Sequence, residues 1–77
     1  MIKRITTETL WTVLNEYRQQ QGTSIELLAE LSQLDPSQLY RWQAHKTRPT
    51  LENVEKVCNA LGLAIMVTQS PTYYENH

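Results

Sequence analysis

The residues that could do chemistry crowd into one stretch. Between Pro36 and Leu51 the chain carries Arg41, Lys46 and Arg48, with His45 among them and no acid. The acids lie elsewhere, at Glu8, Glu16, Glu26, Glu30, Glu52, Glu55 and Glu75, with Asp35 at the edge of the basic segment. Clustered cations attract anions, and polyanions most of all. The net charge of −1 argues against a protein that grips any nucleic acid indiscriminately, because such proteins are strongly basic. A single basic face on a near-neutral body suits a selective binder. The same cations also fit an ordinary solvated loop, and charge alone does not separate the two readings.

Other chemistries lack their parts. His45 and His77 have no cysteine or carboxylate constellation around them, so neither a metal site nor a nucleophile is expected. The only glycines are Gly22 and Gly62, which excludes a glycine-rich phosphate loop. Cys58 sits with Val54, Val57 and Leu61 on an apolar helix face and reads as a small core hydrophobe, with a reactive thiol as the lesser alternative. Trp11 and Trp42 read as core or rim aromatics rather than a ligand cage. The expectation is therefore no enzyme, no catalytic residue, no metal and no cofactor.

These residues need a scaffold, and 77 residues allow one domain. The expected division is a core over 7–62, a strand over 63–68 and a flexible tail over 69–77. A hydrophobic content of 40% supports a packed core, and no apolar run approaches the roughly 18 residues of a membrane helix. Nothing behind Met1-Ile2-Lys3-Arg4-Ile5 resembles a signal peptide, so a cytoplasmic protein without membrane contact is expected.

The fold class that follows is mainly all-α, with four to five helices. Leu10, Val13, Leu14 and Tyr17 recur at helical spacing and predict a helix from about Thr7 to Gln21, capped by Thr6 or Thr7 and ended by Gly22. Ser24 caps a second helix running to Leu31 or Ser32, with Leu28, Ala29 and Leu31 inward and Glu26 favourably placed in its first turn. Asp35 followed by Pro36 is a strong start signal, because Pro at the first helical position loses no needed N–H. The third helix then covers about Pro36 to Ala44. It buries Leu39 and Trp42 and leaves Ser37, Gln38, Tyr40 and Arg41 outward. Thr50 caps a fourth helix with Leu51, Val54, Val57, Cys58 and Leu61 inward, and Gly62 stops it.

The run Leu63-Ala64-Ile65-Met66-Val67-Thr68 reads as a strand, being uncharged and rich in aliphatic residues. A lone strand needs a partner, and the simplest one is the same strand of a second copy about a two-fold axis. Leu63, Ile65, Met66 and Val67 are then the dimerisation residues. The alternative is that these side chains pack irregularly on their own helices. Met1 to Ile5 is a weak second strand candidate, and Tyr73 and Tyr74 lie in a polar tail.

Four pieces in order now resemble a known family. They are Gly22-Thr23-Ser24-Ile25-Glu26-Leu27-Leu28-Ala29-Glu30-Leu31, Asp35-Pro36-Ser37-Gln38-Leu39-Tyr40-Arg41-Trp42, Lys46-Thr47-Arg48-Pro49-Thr50-Leu51-Glu52, and Asn59-Ala60-Leu61-Gly62-Leu63. Together, over about Leu14 to Leu63, they resemble the lambda-repressor-like, Cro/C1-type (XRE) helix-turn-helix family. The strand after Leu61-Gly62-Leu63 is also similar to the HipB-like antitoxin branch. The chain departs from the pattern in three places. Ser32 stands where the turn usually has glycine. Ile25 stands where a glutamine often contacts phosphate and braces the recognition helix. Gln43 stands where a glutamate pairs with the arginine matched by Arg18; a neutral hydrogen bond can replace that ion pair, and the family analogy makes Arg18 structural rather than DNA-contacting.

The resemblance implies double-stranded DNA as partner, with the third helix in the major groove. Arginine forks onto guanine and glutamine onto adenine, so Arg41 and Gln38 are the expected base readers, with Ser37 on a base or a phosphate. Thr23, Ser24, Tyr40, His45, Lys46, Thr47 and Arg48 are expected on the backbone, setting register without reading sequence. The implied function is a dimeric repressor of a palindromic operator. The alternatives are an antitoxin that binds a toxin and represses its own operon, or an interaction module that never touches DNA.

Overall fold

Four helices make up the regular structure of the computed structural model, which describes residues 5–67: α1 (Leu10–Gln20), α2 (Ile25–Ser32), α3 (Pro36–Gln43) and α4 (Leu51–Ala60). The tail at 69–77, Thr68 and the strand candidate up to Arg4 lie outside the described residues.

Three of the four starts are capped by the side chains expected. Ser24 Oγ accepts from the Leu27 N–H, Asp35 from the Ser37 N–H and Thr50 Oγ1 from the Asn53 N–H. α1 begins at Leu10, later than the predicted Thr7. Thr6 still holds its entrance: Thr6 Oγ1 accepts from the Thr9 N–H at 3.2 Å, and Thr9 Oγ1 accepts from the Thr6 N–H at 2.9 Å. The pair satisfies two orphan donors reciprocally, as a capping box does.

All four helices end in one way. A residue with positive φ follows the last turn, and the next N–H reaches back to a carbonyl five residues earlier. The bonds are Thr23 to Arg18 at 3.1 Å, Leu34 to Ala29 at 2.9 Å, Lys46 to Arg41 at 2.9 Å and Leu63 to Cys58 at 2.7 Å. The positive-φ residues are Gly22 (+68°), Gln33 (+58°), His45 (+57°) and Gly62 (+74°). The turn before α3 is thus left-handed, but at Gln33. Ser32, in the place usually held by glycine, is the last residue of α2.

The core joins Trp11 and Leu14 of α1, Leu28 and Ala29 of α2, Leu39 and Trp42 of α3, and Val54, Val57 and Cys58 of α4, with Leu61 just beyond it. α2 packs on both α3 and α4, and α1 on α3. Gln21 Nε2 ties the end of α1 to the Leu61 carbonyl at 2.7 Å. Two predicted inward residues are outside instead: Leu31 is 56% exposed and Leu51 is 71% exposed. At 3.6 residues per turn, Leu31 points about 110° away from the arc of Ile25, Leu28, Ala29 and Ser32. Ser32 takes the buried place, at 2% exposure. Leu51 sits one turn before Val54, where the buried stripe of α4 begins.

No strand occurs among the described residues, so the predicted strand over 63–68 is not seen in the single chain. Leu63 packs partly against the core, while Ile65, Met66 and Val67 are exposed.

Candidate nucleic-acid interface

α2, the Gln33–Leu34 turn and α3 form a two-helix unit whose second helix carries the candidate base readers. The starts of both helices are held by their own caps, and the buried faces by Leu28, Ala29, Leu39 and Trp42. What remains on the outside of α3 is Ser37, Tyr40, Arg41 and Gln43, with Pro36 and Gln38 half-buried.

Arg41 is folded back along its own helix. Its Nε donates to the Ser37 carbonyl at 3.2 Å and its Nη2 to Ser37 Oγ at 3.0 Å. The Ser37 N–H in turn donates to Asp35 Oδ1 at 3.1 Å. The hydrogen bonds of Ser37, and then the nearby Arg41 charge, hold the Asp35 carboxyl below its ordinary pKa.

Gln38 departs from the outward position expected. Its Oε1 is buried and has no hydrogen-bond partner among the described residues. A bidentate grip on adenine uses both ends of the amide, so Gln38 must turn outward to make one. Ser32 Oγ, at the end of α2, is the other buried oxygen without a partner.

Tyr40 is 46% exposed, and its hydroxyl donates to Glu26 Oε1 at 2.5 Å, linking α3 to the first turn of α2. That bond, with Glu26's own N–H and the Arg18 charge, lowers the Glu26 pKa, and the same bond raises that of Tyr40. Tyr40 therefore reaches a phosphate as a donor only by leaving Glu26. Ile25 is half-buried on the core and braces nothing on the surface.

Arg18 makes its bonds elsewhere than to Gln43. It donates from Nε to Asn15 Oδ1 at 2.9 Å and from Nη1 to the Thr23 carbonyl at 2.7 Å, tying the end of α1 to the turn before α2. Gln43 is exposed. The Thr23 N–H is also committed, to the Arg18 carbonyl, which leaves its hydroxyl for a ligand. Ser24 is exposed, with its Oγ serving the cap.

The loop after α3 presents His45, Lys46, Thr47 and Arg48, all exposed. It borders a cleft of about 480 Å³ against the start of α1, whose lining includes Trp11 and Trp42. Both tryptophans are core residues, at 8% and 5% exposure. Cys58 is buried too, and burial pushes its thiol pKa up, which suits a packing residue. No group of three or more His, Cys, Asp or Glu that could hold a metal occurs among the described residues. None of the described helices is long and apolar enough to cross a membrane.

This arrangement of helix, tight turn and outward-facing second helix defines a helix-turn-helix domain. The Helix-turn-helix family model matches residues 14–66, and the chain belongs to the Cro/C1-type (XRE) helix-turn-helix family. Its class is that of DNA-binding transcription regulators. Two solved structures of the clp gene regulator ClgR from Corynebacterium glutamicum are similar to it. One is 27% identical with a TM-score of 0.70, covering 82% of this chain and 67% of that one. The other is 26% identical with a TM-score of 0.70, covering 83% and 82%. No curated protein matches the chain.

Proposed function

We propose that the protein is a sequence-specific, cytoplasmic DNA-binding repressor that acts as a homodimer on a near-palindromic operator. The observation that carries this reading is the outer face of α3 and its following loop, where Arg41, Lys46 and Arg48 stand exposed on a helix-turn-helix frame. α3 enters the major groove, with Ser37, Gln38 and Arg41 at the base edges. Lys46, Thr47 and Arg48, with His45, hold phosphate from the loop, and Thr23 and Ser24 do so from the start of α2. Tyr40 joins the backbone contacts where it releases Glu26.

The dimer rests on the segment after α4. Ile65, Met66 and Val67 are 43%, 78% and 99% exposed, an apolar run that a second copy would cover by strand pairing. Two recognition helices related by a two-fold axis then meet half-sites about 34 Å apart on one face of the duplex.

Selection from a pool of randomised duplexes tests the reading. A short motif with two-fold symmetry is the expected result. Failure to enrich any sequence rejects it, and recovery of a toxin-like protein partner in place of DNA favours the antitoxin reading. Sedimentation with and without the recovered duplex tests the dimer, which a monomer at micromolar concentration in both conditions rejects.

A further inference from the structure

Arginine reads guanine through two parallel N–H donors, and its guanidinium has two edges that can supply them. One edge is formed by Nε and Nη2, the other by Nη1 and Nη2. In this structure Ser37 occupies the first edge at both points: its carbonyl takes the Arg41 Nε–H at 3.2 Å, and its Oγ takes Nη2 at 3.0 Å. Ser37 and Arg41 are four residues apart, so they lie on the same face of α3, one turn from each other. Ser37 is itself fixed at the start of the helix, where its N–H is held by the Asp35 carboxylate. Asp35, Ser37 and Arg41 thus form a chain of hydrogen bonds from the N-cap to the guanidinium.

We propose that Ser37 is a positioning residue for Arg41, clamping the Nε–Nη2 edge so that the Nη1–Nη2 edge faces the O6 and N7 of a guanine. This deepens the DNA-binding reading above and rests on it. The clamp fixes a long side chain before the duplex arrives. Ordering such a side chain on binding ordinarily costs about 0.5–1.5 kcal/mol, which corresponds to about two- to tenfold in affinity. Ser37 Oγ only accepts in this clamp, so its own hydrogen stays free to donate to a base or phosphate alongside. The clamp also assigns the base: an arginine approaching end-on with two donors finds paired acceptors in the major groove only on guanine.

The test is selection from randomised duplexes run in parallel with the wild-type chain, Ser37→Ala, Ser37→Thr, Arg41→Ala and the double variant, followed by titration of the recovered duplex and of each single base-pair substitution. Circular dichroism melting confirms that each variant is folded. The wild type is expected to prefer guanine at one position of each half-site. Arg41→Ala should lose that preference by about tenfold or more. Ser37→Ala should weaken it by about two- to tenfold at that position only, and Ser37→Thr, which keeps the hydroxyl, should restore it. In the Arg41→Ala background, Ser37→Ala should change nothing. Four results overturn the proposal. In one, Ser37→Ala leaves the guanine preference intact while Arg41→Ala abolishes it. In another, the serine effect falls on a different base pair. In a third, it weakens all sequences alike, and in a fourth it persists without Arg41. These outcomes leave the DNA-binding reading standing. Failure of the wild-type chain to enrich any sequence overturns both.

Discussion

Tyr40 donates its hydroxyl hydrogen to Glu26 at 2.5 Å, and this bond ties the recognition helix to the helix before it. It stands one residue away from Ile25, where the family often places a bracing glutamine. Ile25 has turned into the core, and the surface brace is made instead by the next residue of α2 and an aromatic side chain of α3.

Tyr40→Phe keeps the ring and removes the donor, so thermal melting at neutral pH should shift down. Glu26→Gln keeps an acceptor oxygen and should shift it less. Equal melting temperatures for wild type and Tyr40→Phe would show that the bond contributes nothing. Glu26→Gln should also tighten DNA binding modestly, because it removes a negative charge from the helix start proposed to lie against phosphate.

Acid should destabilise the fold through two identified carboxylates. The pKa of Glu26 is held down first by Tyr40, and that of Asp35 first by the Ser37 N–H. Both folded-state values lie below the unfolded ones. Their stabilisation is therefore complete above the unfolded carboxylate range and is lost as pH falls through the folded values. Melting temperature should fall from pH 6 to pH 3, and the variant carrying Asp35→Asn and Glu26→Gln should show a flatter profile. Asparagine still caps a helix, so Asp35→Asn should cost little at neutral pH. An unchanged profile in the double variant assigns the acid sensitivity to other groups.

Gln33 and His45 adopt positive φ without being glycine. A side chain in that conformation costs about 1–2 kcal/mol, part of which glycine gives back through its more flexible unfolded chain. Gln33→Gly should raise stability by about 0.5–1 kcal/mol in urea denaturation, and His45→Gly likewise. Gly22→Ala and Gly62→Ala should lower it by about 1 kcal/mol. A loss of stability in Gln33→Gly would mean that its side chain contributes more than the backbone strain costs.

Ser32 buries a hydroxyl that has no partner among the described residues. Ser32→Ala removes that unpaired group and improves helix propensity, so urea denaturation should find it neutral or stabilising by up to about 1 kcal/mol. Leu39→Ala, at a fully buried position of the next helix, should cost about 2–5 kcal/mol. A large loss on Ser32→Ala would reveal a hydrogen bond that the structure does not contain.

The helix starts were legible because capping is local. Ser24, Asp35 with Pro36, and Thr50 each carry the needed oxygen within three residues of the N–H it serves. Gly22 and Gly62 announced two of the four helix ends by residue type. Gln33 and His45 make the same turn with no compositional signal; the backbone bonds from Leu34 to Ala29 and from Lys46 to Arg41 close it whatever the side chain. Leu31 lies outside although it is apolar, because helical angle rather than residue type decides burial there, and a serine holds the buried place. The Tyr40–Glu26 bond spans fourteen residues, and no local pattern encodes it. The inward turn of the Gln38 carbonyl is likewise a packing outcome. The candidate cations on α3 and its loop were legible, because a run without acids is visible in one dimension.

The most direct measurement of the central claim is the affinity of the wild type, Arg41→Ala and Lys46→Ala for the selected duplex and for a scrambled one at fixed salt. Arg41→Ala should cost about 1–3 kcal/mol on the selected duplex and far less on the scrambled one, while Lys46→Ala should weaken both alike. An equal loss on both duplexes for Arg41→Ala would contradict a base-reading role for α3.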